Sequence, residues 1–296
     1  MADTVFRSGF VSIVGKPNVG KSTLLNRLVG ERLSIITPKA QTTRHRILGI
    51  LQGSNYQIVF SDTPGIIKPS YALHEIMMQY VHSSVEDADV ILLMVTPDEA
   101  SDETVMAQLK KRKGPLLIVI NKSDLLQPVQ VEEKIRYWRQ SCPDAREVIA
   151  ISAVTGFNCD VLLETILKYL PEHPPYFGSD ELTDKSERFL AAEILREKIF
   201  LHLSQEVPYS TEVVVTQFKE EGDLLRISAE IYVERASQKA IIIGKNGTML
   251  KKLGTAARQD MEAFFGKKVF LETHVKVAEN WRKQKDKLKR FGYLED

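Results

Sequence analysis

The sequence predicts an α/β fold in which a doubly wound, mostly parallel sheet is followed by a smaller α+β domain. Residues 5–170 alternate apolar runs with helical patterns, which is typical of a parallel sheet covered by helices. A glycine-rich loop of P-loop form follows the first apolar run. The proline-rich run at 171–178 cannot extend the preceding helix, and the alternation ends there. We therefore expect one domain over 1–173 and a second over 174–296.

Length and composition describe a chain that can bury a sizeable core. Its 296 residues favour two domains, and 43% hydrophobic with 27% charged residues is ordinary for a soluble globular protein. The two cysteines, Cys142 and Cys159, form no CxxC motif, so a reducing cytosol is expected. The N-terminus has no signal-peptide pattern, and no uncharged apolar run approaches the roughly 20 residues of a membrane span.

Five apolar runs in the first domain read as strands that are buried on both faces, and helical patterns separate them. Ligands on such sheets bind at the carboxyl ends of the strands, and each motif described below follows one of these ends. The predicted strands are 10–14, 57–60, 90–95, 116–120 and 148–151, and the predicted helices are 22–29, 72–85, 101–112, 131–140 and 158–169.

The first apolar run leads into the segment GKPNVGKS, which fits the GxxxxGKS pattern of a P-loop. Gly15 and Gly20 allow successive backbone N–H groups to turn toward phosphate oxygens, and the following helix directs its positive end at them. Lys21 supplies charge to the β- and γ-phosphates, and the Ser22 hydroxyl can ligate Mg²⁺. The candidate phosphate-binding residues are Gly15, Lys16, Pro17, Asn18, Val19, Gly20, Lys21, Ser22 and Thr23.

A second motif, DTPG, follows the strand predicted at 57–60. An aspartate at a strand end can reach Mg²⁺ through water, and the N–H of Gly65 can meet a γ-phosphate. DTPG by itself is a common loop sequence. Its position about forty residues beyond a P-loop makes it a nucleotide-binding motif here. The residues assigned to it are Asp62, Thr63, Pro64, Gly65 and Ile66.

Two further strand ends carry the residues expected to select guanine. The Asp124 carboxylate can accept two parallel hydrogen bonds from guanine N1–H and N2–H₂, whereas adenine would leave it unpaired. Asn121 would brace the loop, the Lys122 stem would cover the base, and the Ala153 N–H would donate to guanine O6. The predicted base-binding residues are Asn121, Lys122, Ser123, Asp124, Ser152 and Ala153.

These motifs resemble those of translation-factor-type GTPases, whose doubly wound domain carries two switch loops. Residues 36–46, ITPKAQTTRHR, resemble the first switch, in which one threonine closes on Mg²⁺ while the γ-phosphate is present. Thr42 and Thr43 are both candidates, and we favour Thr43 because it directly precedes Arg44. The resemblance thus assigns Mg²⁺ to Ser22, Thr43 and Asp62, and GTP or GDP to the whole pocket.

The expected reaction is in-line attack of water on the γ-phosphorus of GTP, catalysed by positioning and charge neutralisation. Ras-like GTPases carry a water-orienting Gln directly after the DTPG-type glycine, but this chain has Ile66 there, so we expect slow intrinsic hydrolysis. In related GTPases with an apolar residue at this position, the Asn that matches Asn18 helps to bind K⁺. The catalytic candidates are Lys21, Asn18, Thr43 and Gly65.

The second domain contains a GxxG loop. We predict a helix at 186–204, strands at 211–219 and 223–233, a strand-like apolar run at 241–243, a helix at 248–265 and a strand at 268–277. KH domains use a GxxG loop to clamp about four nucleotides of single-stranded nucleic acid. The element order resembles the type II KH domains of bacterial proteins. The RNA-binding candidates are Ile243, Gly244, Lys245, Asn246, Gly247, Lys251 and Lys252.

Charge is segregated beside that loop. Residues 236–290 carry 14 Lys and Arg against 5 Asp and Glu, a net charge of +9, whereas residues 179–235 carry 7 against 13, a net charge of −6. A basic face next to a GxxG loop is the electrostatic footprint of phosphate binding. Trp281 could stack on a base, but an indole at such a position more often packs its helix onto the domain, and we favour packing.

An N-terminal GTPase joined to a KH domain resembles the Era family of bacterial GTPases over residues 5–285, with GKPNVGKS, QTTRHR, DTPG, NKSD, SA and GKNG in order. The resemblance implies GTP hydrolysis, binding of the 3′ end of 16S rRNA, assistance to 30S subunit assembly, a monomer in the cytoplasm, and peripheral contact with the inner membrane. One alternative is a GTPase whose second domain docks a protein or membrane instead of RNA. Another, an ATP-using enzyme such as a kinase, is opposed by NKSD.

Overall fold

The computed structural model describes residues 5–294, which fall into two units by their contacts. The first unit contains the chain up to Ser34 and the segments Thr43–Lys68 and Met77–Asp184. The second contains the chain from Lys185 onward together with Ile35–Thr42 and Pro69–Ile76. The two early segments therefore belong with the C-terminal part of the chain, which no sequence pattern indicated.

The first unit is built on a six-stranded sheet in the order β2-β3-β1-β4-β5-β6. All neighbouring strands are parallel except β2, which runs antiparallel to β3. The predicted doubly wound sheet is confirmed, and the fully buried strands β4 and β5 match their predicted bounds. The strands are β1 (Arg7–Val14), β2 (Ile47–Gln52), β3 (Tyr56–Asp62), β4 (Val90–Val95), β5 (Leu116–Ile120) and β6 (Glu147–Ala150).

Strand β2 was missed because a glycine interrupts its apolar run, and glycine weakens a strand in sequence-based reasoning. The structure explains that glycine by close packing against the first helix. A Cβ at Gly49 would lie 2.7 Å from a methyl carbon of Leu25 and 3.0 Å from one of Val29. The residue is therefore small because helix and strand approach each other closely at this point.

Five helices accompany this sheet along the chain, and most begin within a few residues of the prediction. Helix α3 is shorter than the predicted 101–112: Asp102 caps its start, accepting hydrogen bonds from the Thr104 and Val105 N–H groups, and the helix ends at Gln108. The helices are α1 (Lys21–Val29), α2 (Ala72–Asp87), α3 (Glu103–Gln108), α4 (Pro128–Ser141) and α5 (Cys159–Tyr169).

The proline-rich segment is bound to the first unit, although its composition suggested a linker. Gln57 donates to the Phe177 carbonyl at 2.8 Å, and the Ile50 N–H donates to the Leu182 carbonyl at 2.9 Å. The chain therefore covers the outer edge of β2, which would otherwise present unpaired backbone groups. The contact-based division accordingly falls after Asp184 and not after residue 173.

The second unit has a three-stranded sheet in the order β7-β8-β9, with β7 antiparallel and β9 parallel to β8. The predicted α+β character and the KH fold are confirmed, although the chain forms a helix where the sequence predicts a strand-like run at 241–243. Helices α6 and α8 pack on one face of this sheet through an apolar core that includes Leu195, Ile227 and Leu253. The elements are α6 (Glu187–His202), β7 (Glu212–Glu221), β8 (Leu224–Val233), α7 (Ala236–Ile243), α8 (Thr248–Phe265), β9 (Lys268–Val277) and α9 (Lys285–Arg290).

The strand-like interpretation of residues 241–243 was wrong, because these isoleucines end helix α7. Ile242 is fully buried while Ile241 is 47% exposed, so the run presents one face to the core as a helix does. The GxxG loop therefore joins two helices. Trp281 is fully buried and its indole N–H donates to the Ser210 carbonyl at 2.8 Å, so it packs and does not stack on a base. None of the helices within residues 5–294 is long and apolar enough to cross a membrane.

Candidate active site and nucleic-acid interface

The P-loop lies between β1 and α1, where the sequence places it. Gly20 caps α1 with φ 101°, a conformation that glycine adopts without strain. A Cβ there would lie 2.2 Å from Asn121 Nδ2, so the loop also requires the absence of a side chain. Asn18 sits in the same loop with φ 65° and is exposed. The segment from Gly15 to Gly20 thus forms a turn before α1, and its backbone is held close to the loop containing Asn121.

Lys21 begins α1 and is buried, with its ammonium group bound inside the loop. Its Nζ donates to the carbonyl of Lys16 at 2.9 Å and to that of Gly15 at 3.2 Å. Burial lowers the pKa of Lys21 to about 8. A phosphate bound in the loop would supply negative charge that favours the ammonium form and raises this pKa again. The outer part of the loop is tied separately, because Lys16 forms an ion pair with Asp102 at 2.6 Å.

The three residues assigned to Mg²⁺ lie together. Ser22 donates to Asp62 Oδ2 at 2.6 Å and shares a hydrogen bond of 2.9 Å with Thr43 Oγ1. Burial raises the pKa of the Asp62 carboxyl, although hydrogen bonds from Ser22 and Ser34 oppose that shift. Its other oxygen, Oδ1, is buried without a hydrogen-bond partner. Two hydroxyls beside a carboxylate with an unused oxygen are a hard oxygen donor set, and they fit Mg²⁺.

The two adjacent threonines of the first-switch segment have different partners. Thr43 lies beside Ser22, as described above. Thr42 donates to the carbonyl of Lys39 at 2.7 Å and shares a 2.6 Å hydrogen bond with Thr37. Thr42 therefore organises its own loop, and Thr43 is the one that the fold brings to Ser22 and Asp62.

The DTPG loop is bound to the P-loop and to the end of β1 by hydrogen bonds. The N–H of Ile66 donates to the Gly15 carbonyl at 3.0 Å, and the Thr63 hydroxyl donates to the Ile13 carbonyl at 2.9 Å. A Cβ at Gly65 would lie 2.7 Å from Pro17, so only glycine fits at this approach. The Ile66 side chain is 5% exposed, and an apolar side chain offers no group that could orient a water molecule.

Asn121 connects three loops at the carboxyl edge of the sheet. Its Nδ2 donates to the Val19 carbonyl at 2.8 Å, and its Oδ1 accepts from the Ala153 N–H at 2.9 Å. The Ala153 N–H, which the sequence assigned to guanine O6, is thus directed to Asn121 in this structure. Lys122 adopts φ 60°, and the Ser123 N–H donates to the Ile151 carbonyl at 3.0 Å, which positions the loop before Asp124.

Asp124 is exposed, so its carboxylate is accessible to a base. Next to it lies a cavity of about 470 Å³ with apolar walls that include Leu126, Val131 and Phe157. The neighbouring Ser152 accepts a hydrogen bond from the Thr155 N–H at 3.2 Å, which closes the turn that presents Ala153.

Sequence reasoning missed three residues that position this site. Ser34 donates to Asp62 Oδ2 at 2.9 Å, and Asn26 Oδ1 accepts from the Ser34 and Leu33 N–H groups at 3.0 Å each. Arg27 donates to the carbonyls of Ala153, at 3.2 Å, and Val154. The sequence shows that Asn26 and Arg27 follow the P-loop within one helix. It does not show which groups they bind, because those partners lie elsewhere in the sequence.

The GxxG loop in the second unit makes a tight turn between α7 and α8. Gly244 has φ 73° and ψ 174°, and a Cβ there would lie 2.7 Å from that of Met249. Lys245 and Asn246 are exposed at the tip of the turn, and Ile243 is half-buried at its start. The turn thus presents a cationic side chain and backbone N–H groups at the N-terminus of α8.

A groove of about 390 Å³ runs from this loop between α8 and β9. Lys251 lines it, whereas Lys252 points to solvent and is not among its lining residues. Sequence reasoning missed the remaining wall, because its members on α8 and β9 are far apart in the chain. The groove is lined by Gly247, Leu250, Lys251, Gly254, Thr255, Arg258, Leu271 and Thr273.

Comparison with known families gives two matches, one in the N-terminal part of the chain and one in the C-terminal part. A family model described as 50S ribosome-binding GTPase matches residues 10–122, and one described as KH domain matches residues 206–282. The GTPase Era of Syntrophus aciditrophicus is 49% identical, and the alignment covers 98% of this chain and 96% of that protein. The GTPase Era of Caldanaerobacter subterraneus subsp. tengcongensis is 46% identical, with 98% and 99% covered.

Two solved structures resemble the whole chain. One is a crystal structure of Era in complex with MgGDPNP and nucleotides 1506–1542 of 16S ribosomal RNA, with a TM-score of 0.94 and 44% identity. It aligns with 98% of this chain and 100% of that one. The other is a variant of Era from Aquifex aeolicus bound to GDP and AlF₄⁻, with a TM-score of 0.94, 42% identity and the same coverage.

Proposed function

The chain belongs to the Era family of GTPases, and from this premise we propose that it hydrolyses GTP, binds the 3′ end of 16S rRNA and assists assembly of the 30S ribosomal subunit. The observation that carries the proposal is the presence of two separate sites in one chain. Residues that suit phosphate and guanine lie at the carboxyl edge of the first sheet, and a groove with a GxxG loop lies in the second unit. The match to Era bound to both MgGDPNP and 16S RNA supports this pairing.

The residues of the first site suit phosphoryl transfer by positioning and charge neutralisation. Lys21 and the P-loop N–H groups would bind the β- and γ-phosphates. Ser22, Asp62 and Thr43 would hold Mg²⁺, which supplies positive charge to the phosphates when bound. The Gly65 N–H would contact the γ-phosphate. Gly65 lies close to Pro17, so the DTPG loop lies near the P-loop. Asp124 would select guanine through its exposed carboxylate.

Water positioning is the part that these residues do not provide. Because Ile66 is apolar and buried, we propose slow intrinsic hydrolysis and a role for K⁺ held with the help of Asn18 in the P-loop. The test is GTP turnover in KCl against NaCl at equal ionic strength. Faster turnover in KCl that is lost in Asn18→Ala supports the proposal, and equal rates in the two salts refute it.

The groove between α8 and β9 is where we propose that single-stranded RNA binds. Lys245 and Asn246 at the loop tip would contact the RNA backbone, and the net charge of +9 over residues 236–290 would attract it. The test is the affinity for a short RNA copied from the 3′ end of 16S rRNA, with Lys245→Asp/Asn246→Asp as the variant. Loss of binding with an unchanged circular dichroism spectrum supports RNA binding. Unchanged affinity favours a second domain that docks a protein or membrane instead.

We further propose that the nucleotide controls RNA binding through residues 35–42, which pack on α6 within the second unit. Arg196 is fully buried, binds both Glu193 oxygens at 2.6 Å, and donates to the Thr42 carbonyl at 2.5 Å. Lys39 donates to the carbonyls of Phe200 and Leu203 at the end of α6. The chain continues from Thr42 directly into Thr43, so a residue assigned to Mg²⁺ adjoins a segment that α6 holds.

The test compares RNA affinity with a GTP analogue bound and with GDP bound. The proposal is supported if the ratio of the two RNA affinities differs from one in the wild type and approaches one in Lys39→Ala. This variant releases residues 35–42 from α6 and leaves no buried charge without a partner. A nucleotide-independent affinity in the wild type refutes the coupling and leaves RNA binding intact. Coupling requires that the contacts of residues 35–42 within the second unit differ in free energy between the GTP-bound and GDP-bound states.

Other properties implied by the family complete the proposal. We propose a monomer that works in the cytoplasm, and the buried, unpaired Cys142 and Cys159 suit a reducing compartment. Peripheral contact with the inner membrane is proposed on the family resemblance alone. Sedimentation with anionic vesicles tests that contact, and light scattering with and without RNA tests the monomer.

A further inference from the structure

No close contact within residues 5–294 explains why Gly254, in the middle of α8, is a glycine. Gly254 lies six residues into an 18-residue helix, where glycine lowers helix stability relative to alanine. Close packing is the usual reason to retain such a glycine, as at Gly49, where a Cβ would collide with Leu25. A Cβ at Gly254 would instead meet no heavy atom within 4 Å in the described part of the chain, apart from its chain neighbours and the backbone of its own helix. The open space above it belongs to the groove between α8 and β9.

The groove around Gly254 carries cationic, apolar and backbone polar groups. Lys251 and Arg258 line the groove one turn before and one turn after Gly254, on the same face of the helix. Leu250 and Leu271 add half-buried apolar surface. Across the groove lies β9, which pairs with β8 alone among the described strands and so directs one backbone edge outward. The site thus combines Lys251, an arginine whose guanidinium also pairs with Glu262 at 2.8 Å, an apolar floor and backbone hydrogen-bonding groups.

We propose that Gly254 is a nucleotide-contact position, at which one base of the bound RNA packs flat against the helix backbone while Lys251 and Arg258 contact the flanking phosphates. The inference rests on the proposed RNA binding and concerns how closely a base can approach α8. Contact between a base and the helix requires carbon atoms at about 3.5–4.0 Å. A Cβ would occupy that layer and hold the base away from the backbone. Gly254 therefore sets the closeness of the approach, and it does so through dispersion and desolvation without any charge of its own.

The test is Gly254→Ala, because alanine stabilises the helix while it blocks the approach. We expect the thermal unfolding midpoint to stay equal or to rise, and the affinity for a short single-stranded RNA copied from the 3′ end of 16S rRNA to fall at least tenfold. Ala263→Leu is the matched control, since it adds a larger side chain to an exposed position of the same helix outside the groove. The control should bind the RNA as the wild type does.

A salt series separates this role from an electrostatic one. For single strands, each phosphate contact contributes about 0.7 to the slope of log affinity against log salt. Gly254→Ala should weaken binding equally at every salt concentration, whereas Lys251→Gln should reduce the slope by about 0.7. Wild-type affinity in a folded Gly254→Ala variant overturns the inference, and so does an affinity loss that Ala263→Leu shares. Failure of the wild type to bind the RNA would refute the proposed function itself, so the two failures are distinguishable.

Discussion

Replacing Asn121 by Ala tests how the nucleotide site is held together. Asn121 is 3% exposed and makes two hydrogen bonds, donating to the Val19 carbonyl at 2.8 Å and accepting from the Ala153 N–H at 2.9 Å. These bonds join the P-loop, which would bind phosphate, to the two loops that would bind guanine. The variant keeps the backbone but leaves both partner groups without their hydrogen bonds.

The magnitude follows from those two partners. A buried donor or acceptor left unsatisfied costs about 1–3 kcal/mol, so two of them cost about 2–4 kcal/mol when partial relaxation is allowed. Without nucleotide, the loops can relax toward water, whereas a bound nucleotide requires them in the joined arrangement. The cost therefore falls mainly on the complex. At 1.4 kcal/mol for each factor of ten, the affinity for GDP should fall about 30- to 700-fold.

The assay is titration of a fluorescent GDP analogue in the presence of Mg²⁺, with thermal unfolding of the nucleotide-free protein measured in parallel. Asn55→Ala, at an exposed position in the turn between β2 and β3, is the control and should bind GDP as the wild type does. A loss of less than about threefold in Asn121→Ala, with an unchanged unfolding midpoint, would show that these bonds do not hold the loops together, and the reasoning would fail.

Three further predictions concern the same site. Asp124→Asn should lose at least a hundredfold in GTP affinity and gain affinity for xanthine nucleotides, because an amide can donate to the C2 carbonyl of xanthine. Competition with XDP measures this change, and an unchanged preference for guanine contradicts the prediction. Thr43→Val should raise the Mg²⁺ concentration needed for half-maximal GTP hydrolysis at least tenfold, whereas Thr42→Val should leave that concentration nearly unchanged. A larger effect of Thr42→Val would assign the metal to Thr42. Burial lowers the pKa of Lys21 to about 8 in the nucleotide-free protein, and phosphate favours the ammonium form. GDP affinity should therefore be constant below about pH 8 and fall as the pH rises through 8, whereas a flat profile to pH 9 would contradict this ionisation.

Local patterns were sufficient for the chemistry of each motif. The P-loop, DTPG, NKSD and GxxG segments are each short, and their residue types follow from what phosphate, Mg²⁺, guanine and an RNA backbone require. The alternation of apolar runs and helical patterns was likewise sufficient for the parallel sheet, because periodicity is read within a few turns or one strand. Strand β2 and helix α7 were the elements misread. In each, a tertiary contact decided the outcome: close packing at Gly49, and burial of Ile242 alone among three isoleucines.

By itself, the sequence determined the class of the fold, the nucleotide that the first unit is built to select, and the loop by which the second would hold RNA. Only the tertiary structure decided which threonine lies beside Ser22, that Asp62 keeps a buried oxygen without a partner, and that α6 holds residues 35–42. The physical reason is distance along the chain. Arg196 and the Thr42 carbonyl are 154 residues apart, and no local periodicity records a contact of that kind. Packing of the whole chain brings such groups together, whereas a motif carries its chemistry within a single loop.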